Sequence, residues 1–341
     1  MKAMFAIVSA VICAVVTPAI AQVDAPAVGS IPIIDVHNQY DGSFSHDAIL
    51  ERMNGSGISR MILSPHANAI DSELISFGQK HPDRLTIAVR TKTTAFESGK
   101  SDSVVGQIMR PEYGGTQEIL FWHQAKPVKI YGKEKTAGEW NLDIESPFIQ
   151  QVISAIRARG WPVMTHYEFN GSQSKSKTQA MMKKFENVLE RNLDLNFGLV
   201  HRGQLDANET RRLIETHPNV FCVLSESAGW RQEAGMTSVF NEGGMLATEW
   251  RNLFLEHPDK FVLSFDAPFR QLWTSQIPHD TSIWRRTLQR LPAVVGHKLG
   301  HENAERLWKL PPAQPISMLA GLPEGSEGLP KGKKGKKGPA E

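Results

Sequence analysis

The chain has 341 residues, 40% hydrophobic and 22% charged, with two cysteines and a formal net charge of +2. This is the composition of a soluble globular protein, and the length suits one α/β barrel of ~250 residues with extensions. Subtracting the +2 of the Lys-rich end after Gly321 and the charge of Lys2 from the formal +2 leaves about −1 for residues 22–321, which removes any electrostatic case for nucleic-acid binding by the body.

Residues 1–21 read as a signal peptide: Lys2 supplies the basic start, Ala6 to Val16 an apolar segment short for a bilayer, and Ala19-Ile20-Ala21 a cleavage site before Gln22. The other reading of this segment is an uncleaved anchor. Cys13 has no small residues immediately before it, so it is not read as a lipidation site. After cleavage Cys222 alone remains, which excludes an internal disulfide; an exported protein, periplasmic or secreted, then depends on its core.

From residue 31 short apolar runs alternate with helical patterns, the rhythm of a parallel sheet. Strand one is Ile31 to Val36, followed by a helix from Asp47 to Met53 that Gly55 and Gly57 stop. Strand two is Arg60 to Ser64, with a helix from Ser72 to Lys80, and strand three is Leu85 to Val89. After an irregular Gly- and Lys-rich region, Val128 to Tyr131 is taken as strand four. Phe148, Val152, Ile153 and Ile156 have helical spacing over Pro147 to Arg159, which Gly160 ends. Strand five is Trp161 to Thr165 with its helix at Lys177 to Arg191, and strand six is Phe197 to Val200. A helix over Asn208 to Glu215 is capped by Asn208 or Asp206, and strand seven is Val220 to Leu224. Four glycines mark Ala228 to Thr248 as a loop over the barrel mouth. Strand eight is Phe261 to Phe265, and closing helices cover Thr281 to Leu291 and Asn303 to Trp308. Eight strands in this order predict a (β/α)8 TIM barrel over residues 22–313. Residues 314–341 form a Lys-, Gly- and Pro-rich tail whose composition predicts disorder.

Several of these runs end in a polar residue that can bind a metal or a proton: His37, His166, His201 and Asp266. One such histidine is more often a hydrogen-bonded structural residue. Three of them plus a carboxylate, all at C-terminal strand ends, mark the face where barrel active sites are built. Imidazoles with a carboxylate suit Zn2+ or a similar first-row cation, which makes hydroxide available from water near neutral pH.

On Asp35-Val36-His37, His166, Leu199-Val200-His201-Arg202-Gly203, Ser264-Phe265-Asp266-Ala267-Pro268 and Glu302-Asn303-Ala304-Glu305-Arg306-Leu307, the chain resembles the amidohydrolase superfamily, most closely its amidohydrolase-related branch of metal-dependent hydrolases. The resemblance covers about residues 31–311. It implies a distorted barrel with one divalent metal, Zn2+ foremost, held by His37, His166 and Asp266. Asp266 would also shuttle a proton, and His201 would be a ligand of a second metal or, in single-metal members, would polarise the substrate. Implied activities are hydrolysis of amides, lactones and other esters, with non-oxidative decarboxylation of aromatic acids as an alternative.

The chain departs from the family at strand one, where His-x-His reads His37-Asn38-Gln39. Alternation puts positions 37 and 39 on one side, so Gln39 is placed among the metal ligands, though an amide oxygen is weaker than imidazole for Zn2+. Three readings stay open: one metal with Gln39 assisting, a site acting without tightly bound metal, or a non-catalytic barrel with a degenerate site that binds a ligand. Lys129, Tyr131 and Glu168 are placed among the substrate-facing residues, Glu168 also as a partner orienting His166. Glu226 is a lesser candidate, and His66 and His123 are read as surface or structural. The expected partner is a small-molecule substrate, with no nucleic acid and no membrane insertion after cleavage; homo-oligomerisation is left open.

Overall fold

A computed structural model describes residues 31–316, apart from 94–95, 97–98, 100, 131–132, 171–173 and 226–237. The expected signal peptide, the tail beyond residue 316, Tyr131 and Glu226 lie outside the described residues. No helix among the described residues is long and apolar enough to cross a membrane.

The parallel ring opens with β1 (Ile34–Tyr40), β2 (Arg60–Pro65) and β3 (Leu85–Val89). It ends with β8 (Val163–Tyr167), β9 (Phe197–Val200), β10 (Val220–Ser225) and β11 (Phe261–Ser264). Between these runs lie β4 (Gly115–Thr116) and β5 (Ile119–Trp122). β4 pairs with β3 and β5 with β8, so the fourth barrel strand is broken at Gln117–Glu118 and the ring consists of two sheets, β1-β2-β3-β4 and β11-β10-β9-β8-β5. The second seam is closed by Asp266 N–H and Ser264 Oγ, which both donate to the His37 carbonyl at 3.1 and 2.8 Å. The architecture is the expected (β/α)8 barrel.

Strand four itself is a correction. Lys126–Ile130 (β6) pairs antiparallel with Lys133–Ala137 (β7) in a separate hairpin, so the segment expected as barrel strand four lies outside the ring. The chain fills that place with Ile119-Leu120-Phe121-Trp122, all four buried.

Around the strands run α1 (Asp47–Ser56), α2 (Asp71–Lys80), α3 (Ser101–Ile108), α4 (Pro147–Arg159), α5 (Lys175–Arg191), α6 (Ala207–Thr216), α7 (Thr248–Glu256) and α8 (Arg270–Arg290). Their starts follow local chemistry. Ser146 caps α4 with Pro147 at its first position, and Asp206 caps α6 in a reciprocal box with Glu209. α8 begins at Arg270 rather than Thr281. Pro278 is a helix breaker by local chemistry, but the buried Trp273, Ile277 and Trp284 sustain the helix through it. The described part of the expected mouth loop is anchored rather than free: Phe240 is buried edge-on to Trp284, and it bridges to Leu246.

Alternation along each strand sorts the core into two layers. Ile34, Val36, Ile62, Ala88, Met164, Val200, Phe221, Val223 and Val262 fill the barrel interior. Met61, Leu63, Leu199, Cys222, Leu224 and Leu263 face the helices. α9 (Ala293–His297), a π turn (Lys298–Glu302) and α10 (Asn303–Trp308) then close the barrel floor, with Trp308 edge-on to Phe221 at 5.8 Å. Gly198 is required there, since a Cβ would come within 2.6 Å of Phe221 Cζ.

Candidate metal centre at the barrel mouth

The register of β1 slips between Asp35 and Asn38. Without that irregularity the interior parity of Ile34 and Val36 would continue to Asn38; with it, His37 and Gln39 face the mouth. Buried Asp35 ties the slip to the second seam, accepting from Asn38 Nδ2 at 2.6 Å and from Phe265 N–H at 3.2 Å. Burial pushes its carboxyl up to about 7 against the pull of those donors. On β8 parity runs unbroken from Met164 to His166 and on to Glu168. His201 sits one residue and Asp266 two residues past their strands, with φ of +52° and +41°. Left-handed backbone at non-glycine residues is uncommon and persists where the surroundings fix it. Here Asp266 N–H is held by the His37 carbonyl and Ala267 N–H by Asn38 Oδ1 at 3.0 Å.

These devices bring four of the expected residues together. His37 Nδ1 lies 3.7 Å from Asp266 Oδ1, and His201 Nε2 lies 3.5 Å from Asp266 Oδ2. The His166 and His201 rings meet edge-on, 5.2 Å between centroids. All four residues are buried. Glu168 is there too, its Oε1 3.3 Å from His166 Nε2 and its Oε2 accepting from Gln124 N–H at 2.8 Å.

Gln39 reaches the same place in a different capacity from that expected. Its Nε2 donates to Asp266 Oδ1 at 2.7 Å, and its carbonyl oxygen accepts from Gln117 Nε2 at 2.6 Å. The oxygen that would serve as a ligand is therefore engaged, and the side chain works as a brace between the two seams. Lys129 belongs to the β6–β7 hairpin, opposite Glu134 in the register, rather than to a barrel strand.

Sequence reasoning missed Glu118, Gln117 and Lys92, and set His123 aside as structural or surface. Glu118 is buried in the break of strand four, its Oε2 2.8 Å from His166 Nδ1 and its Oε1 2.6 Å from Lys92 Nζ. His37 Nε2 lies 3.8 Å from the same Oε1. Burial raises the Glu118 carboxyl, but Lys92, then His166 and His37, together hold it well below the usual carboxylate range. Burial disfavours the His166 cation, yet Glu118 and Glu168 raise its pKa overall. His123 Nε2 stands 3.8 Å from Glu168 Oε1. His66, edge-on to Phe269, is lowered to about 4 by burial and by Lys92 and Arg90. A signal for the missed strand was present: Ile119-Leu120-Phe121-Trp122-His123 is an apolar run ending in histidine, the same pattern that identified the others.

Glu118, His166 and His201 each offer a ligand atom within 4.8 Å of the others, as do His123, His166 and Glu168. Buried imidazoles with carboxylates fit a first-row divalent cation. Three buried carboxylates, Glu118, Glu168 and Asp266, converge here and Lys92 offsets one of them. A further positive charge at this place is electrostatically favourable.

The sequence model of the amidohydrolase family matches residues 26–310. No curated protein matches the chain. Among solved structures, an uncharacterised TIM-barrel protein from Bordetella bronchiseptica aligns at 13% identity with a TM-score of 0.52, covering 82% of this chain and 99% of the other. An amidohydrolase from Burkholderia multivorans with bound zinc aligns at 15% identity and TM-score 0.51, covering 82% and 100%. 4-Oxalomesaconate hydratase from Rhodopseudomonas palustris aligns at 12% and 0.50, covering 82% and 96%. At these identities the likeness establishes the barrel fold.

Proposed function

Because this chain belongs to the amidohydrolase family, we propose that it is a metal-dependent hydrolase acting on the carbonyl carbon of a small amide, lactone or ester. The observation that carries the reading is the convergence of Glu118, His166 and His201 beside His37 and Asp266, in one buried cluster at the C-terminal ends of the strands. His37, His166 and Asp266 would hold one divalent cation, with His201 and Glu118 adjoining it. Zn2+ is the first choice, on the imidazole–carboxylate donor set and on the zinc in the Burkholderia multivorans relative. Such a cation polarises a carbonyl and lowers the pKa of its water toward ~7.

The chain's own residues do the rest. Asp266, braced by Gln39, takes the proton of the attacking water and passes it to the leaving group. His201, fixed 3.5 Å from Asp266 Oδ2, stands where it can polarise the carbonyl oxygen of the substrate. Glu118, accepting from His166 Nδ1, sets the ring's orientation and leaves Nε2 as the nitrogen that would face the cation, with Glu168 beside it. Gln39 is a positioning residue in this scheme, not a ligand. The Ala19-Ile20-Ala21 segment supports export, and a mature chain beginning at Gln22 is the expected product.

The test is metal removal and return against a panel of esters, lactones and amides. Chelation should abolish turnover and Zn2+ should restore it. Undiminished turnover after complete metal removal would sink the metal-dependent reading. Release of carbon dioxide from aromatic carboxylates in the same panel, with no carbonyl derivative cleaved, would replace hydrolysis with decarboxylation.

A further inference from the structure

A second group of ligating side chains lies at the other end of the barrel. His297 ends α9, His301 and Glu302 lie in the π turn, and Glu305 is in α10. Asn303 Nδ2 anchors this segment by donating to the Pro258 and Phe261 carbonyls at 2.7 and 2.8 Å. Phe261 is the first residue of β11, so the segment sits at the N-terminal face, away from Asp266 beyond that strand's far end.

His297, His301 and Glu305 recur at four-residue intervals, the helical spacing by which two histidines present their rings to one ion. The His297 Nδ1 and His301 Nε2 atoms are 3.1 Å apart. His301 Nδ1 lies 2.8 Å from Glu305 Oε1, which also accepts the Ala313 N–H at 2.7 Å. A carboxylate only accepts, so the proton of neutral His301 is on Nδ1 and its Nε2 lone pair points at His297. That is the tautomer a metal requires, with the ring steered by a carboxylate that is itself held by backbone. The Glu302 carboxylate completes a set whose ligand atoms all lie within 4.8 Å of one another. Tetrahedral coordination at about 2.0–2.1 Å separates two ligand nitrogens by roughly 3.3 Å, so the rings are nearly at that spacing already. His301 is mostly buried, its side chain 11% exposed, while Glu302 is exposed to solvent.

We propose that His297, His301 and Glu302 form a second, non-catalytic site for a borderline divalent cation of the Zn2+, Ni2+ or Cu2+ class, with Glu305 as the positioning residue. The bound ion clips the π turn at the barrel floor. Through Glu305 and Ala313 it ties the closing helix to the segment that follows it.

The experiment is equilibrium dialysis of the full chain against Zn2+, with elemental analysis, on the unaltered protein and on His297→Ala/His301→Ala. The unaltered protein should retain about one equivalent more than the double variant, whatever the barrel mouth holds. Its thermal midpoint should rise with Zn2+ by more than the variant's does. Glu305→Gln keeps an acceptor for Ala313 but weakens the hold on His301, and should lower Zn2+ affinity by roughly 10–100-fold. Should the double variant fold poorly, Glu302→Ala, at an exposed side chain, must still weaken the same equivalent. Equal zinc uptake and equal thermal response in the unaltered protein and the folded variant would overturn the proposal, leaving the two histidines as a hydrogen-bonded pair.

Discussion

Replacing Lys92 with Met should cost this protein far more than the loss of an ordinary surface charge. Lys92 Nζ lies 2.6 Å from Glu118 Oε1, with side chains 22% and 2% exposed. At an effective dielectric of 20 the gross attraction is about 6 kcal/mol, offset by the desolvation of both groups. Truncating one partner of a buried pair typically costs about 3–5 kcal/mol, because the other charge stays behind. Here the low end applies, about 3 kcal/mol, since water reaches Lys92 and His166 Nδ1 remains 2.8 Å from the carboxylate. That corresponds to a fall in thermal midpoint of roughly 5–10 °C. The carboxyl of Glu118 is held below its unfolded value, so its stabilising contribution is full above about pH 4.3 and lost as pH falls through the folded value. Met at position 92 weakens that hold, so the stability gap between the two proteins should narrow as the medium is acidified. Urea unfolding at pH 7 and at about pH 2–3, inside that window, measures both quantities. Lys92→Met/Glu118→Gln, which removes both charges, should recover part of the loss. A deficit under about 1 kcal/mol at pH 7, the range of exposed pairs, would refute the reasoning.

Three further outcomes are expected. Asp266→Asn should lower kcat by ~10²–10⁴-fold and change KM much less, since the loss falls on proton transfer; a variant that keeps its metal and turns over near normally would remove Asp266 from the mechanism. Gln39→His should raise metal affinity or stoichiometry at the mouth, measured in the His297→Ala/His301→Ala background so that the floor site does not contribute. Two equivalents held there with Gln39 in place would contradict the brace assigned to it. Truncation after Gln314 should leave the thermal midpoint nearly unchanged, because the removed composition offers little apolar surface to bury, and a drop of several degrees by calorimetry would show otherwise.

Much of the barrel was legible because its strands are buried on both faces and read as short apolar runs between helical patterns. Leu85–Val89 and Phe197–Val200 fall where the sequence put them, as does the helix Pro147–Arg159 with its serine, proline and glycine punctuation. His37, His166, His201 and Asp266 converge because strand ends share one face of a barrel. Strand four carried the same signal in Ile119-Leu120-Phe121-Trp122-His123, but it was masked. Its ladder is interrupted at Gln117–Glu118, leaving a two-residue piece and a four-residue piece, and the hairpin strand Lys126–Ile130 competed for the same place. Glu118 was missed with it. The task of Gln39 was hidden for another reason: a single side chain shows what it can ligate, but not that Gln117, far away in sequence, will claim its oxygen.

The interrupted fourth strand has a consequence for how this scaffold can diverge. The ring has two seams, and several side chains of the candidate centre stand at them: Gln117 and Glu118 at one, His37 and Asp266 at the other, with Gln39 spanning both, while His166 and His201 lie at β8 and β9 within the second sheet. Ring closure and reactivity are therefore inherited together. A mutational survey scored only for turnover would class positions 39, 117, 118 and 266 as chemical. The same survey scored only for abundance would class them as architectural. New chemistry at this mouth has to be found among substitutions that also keep the barrel shut, and paired measurements on each variant are what would tell the two demands apart.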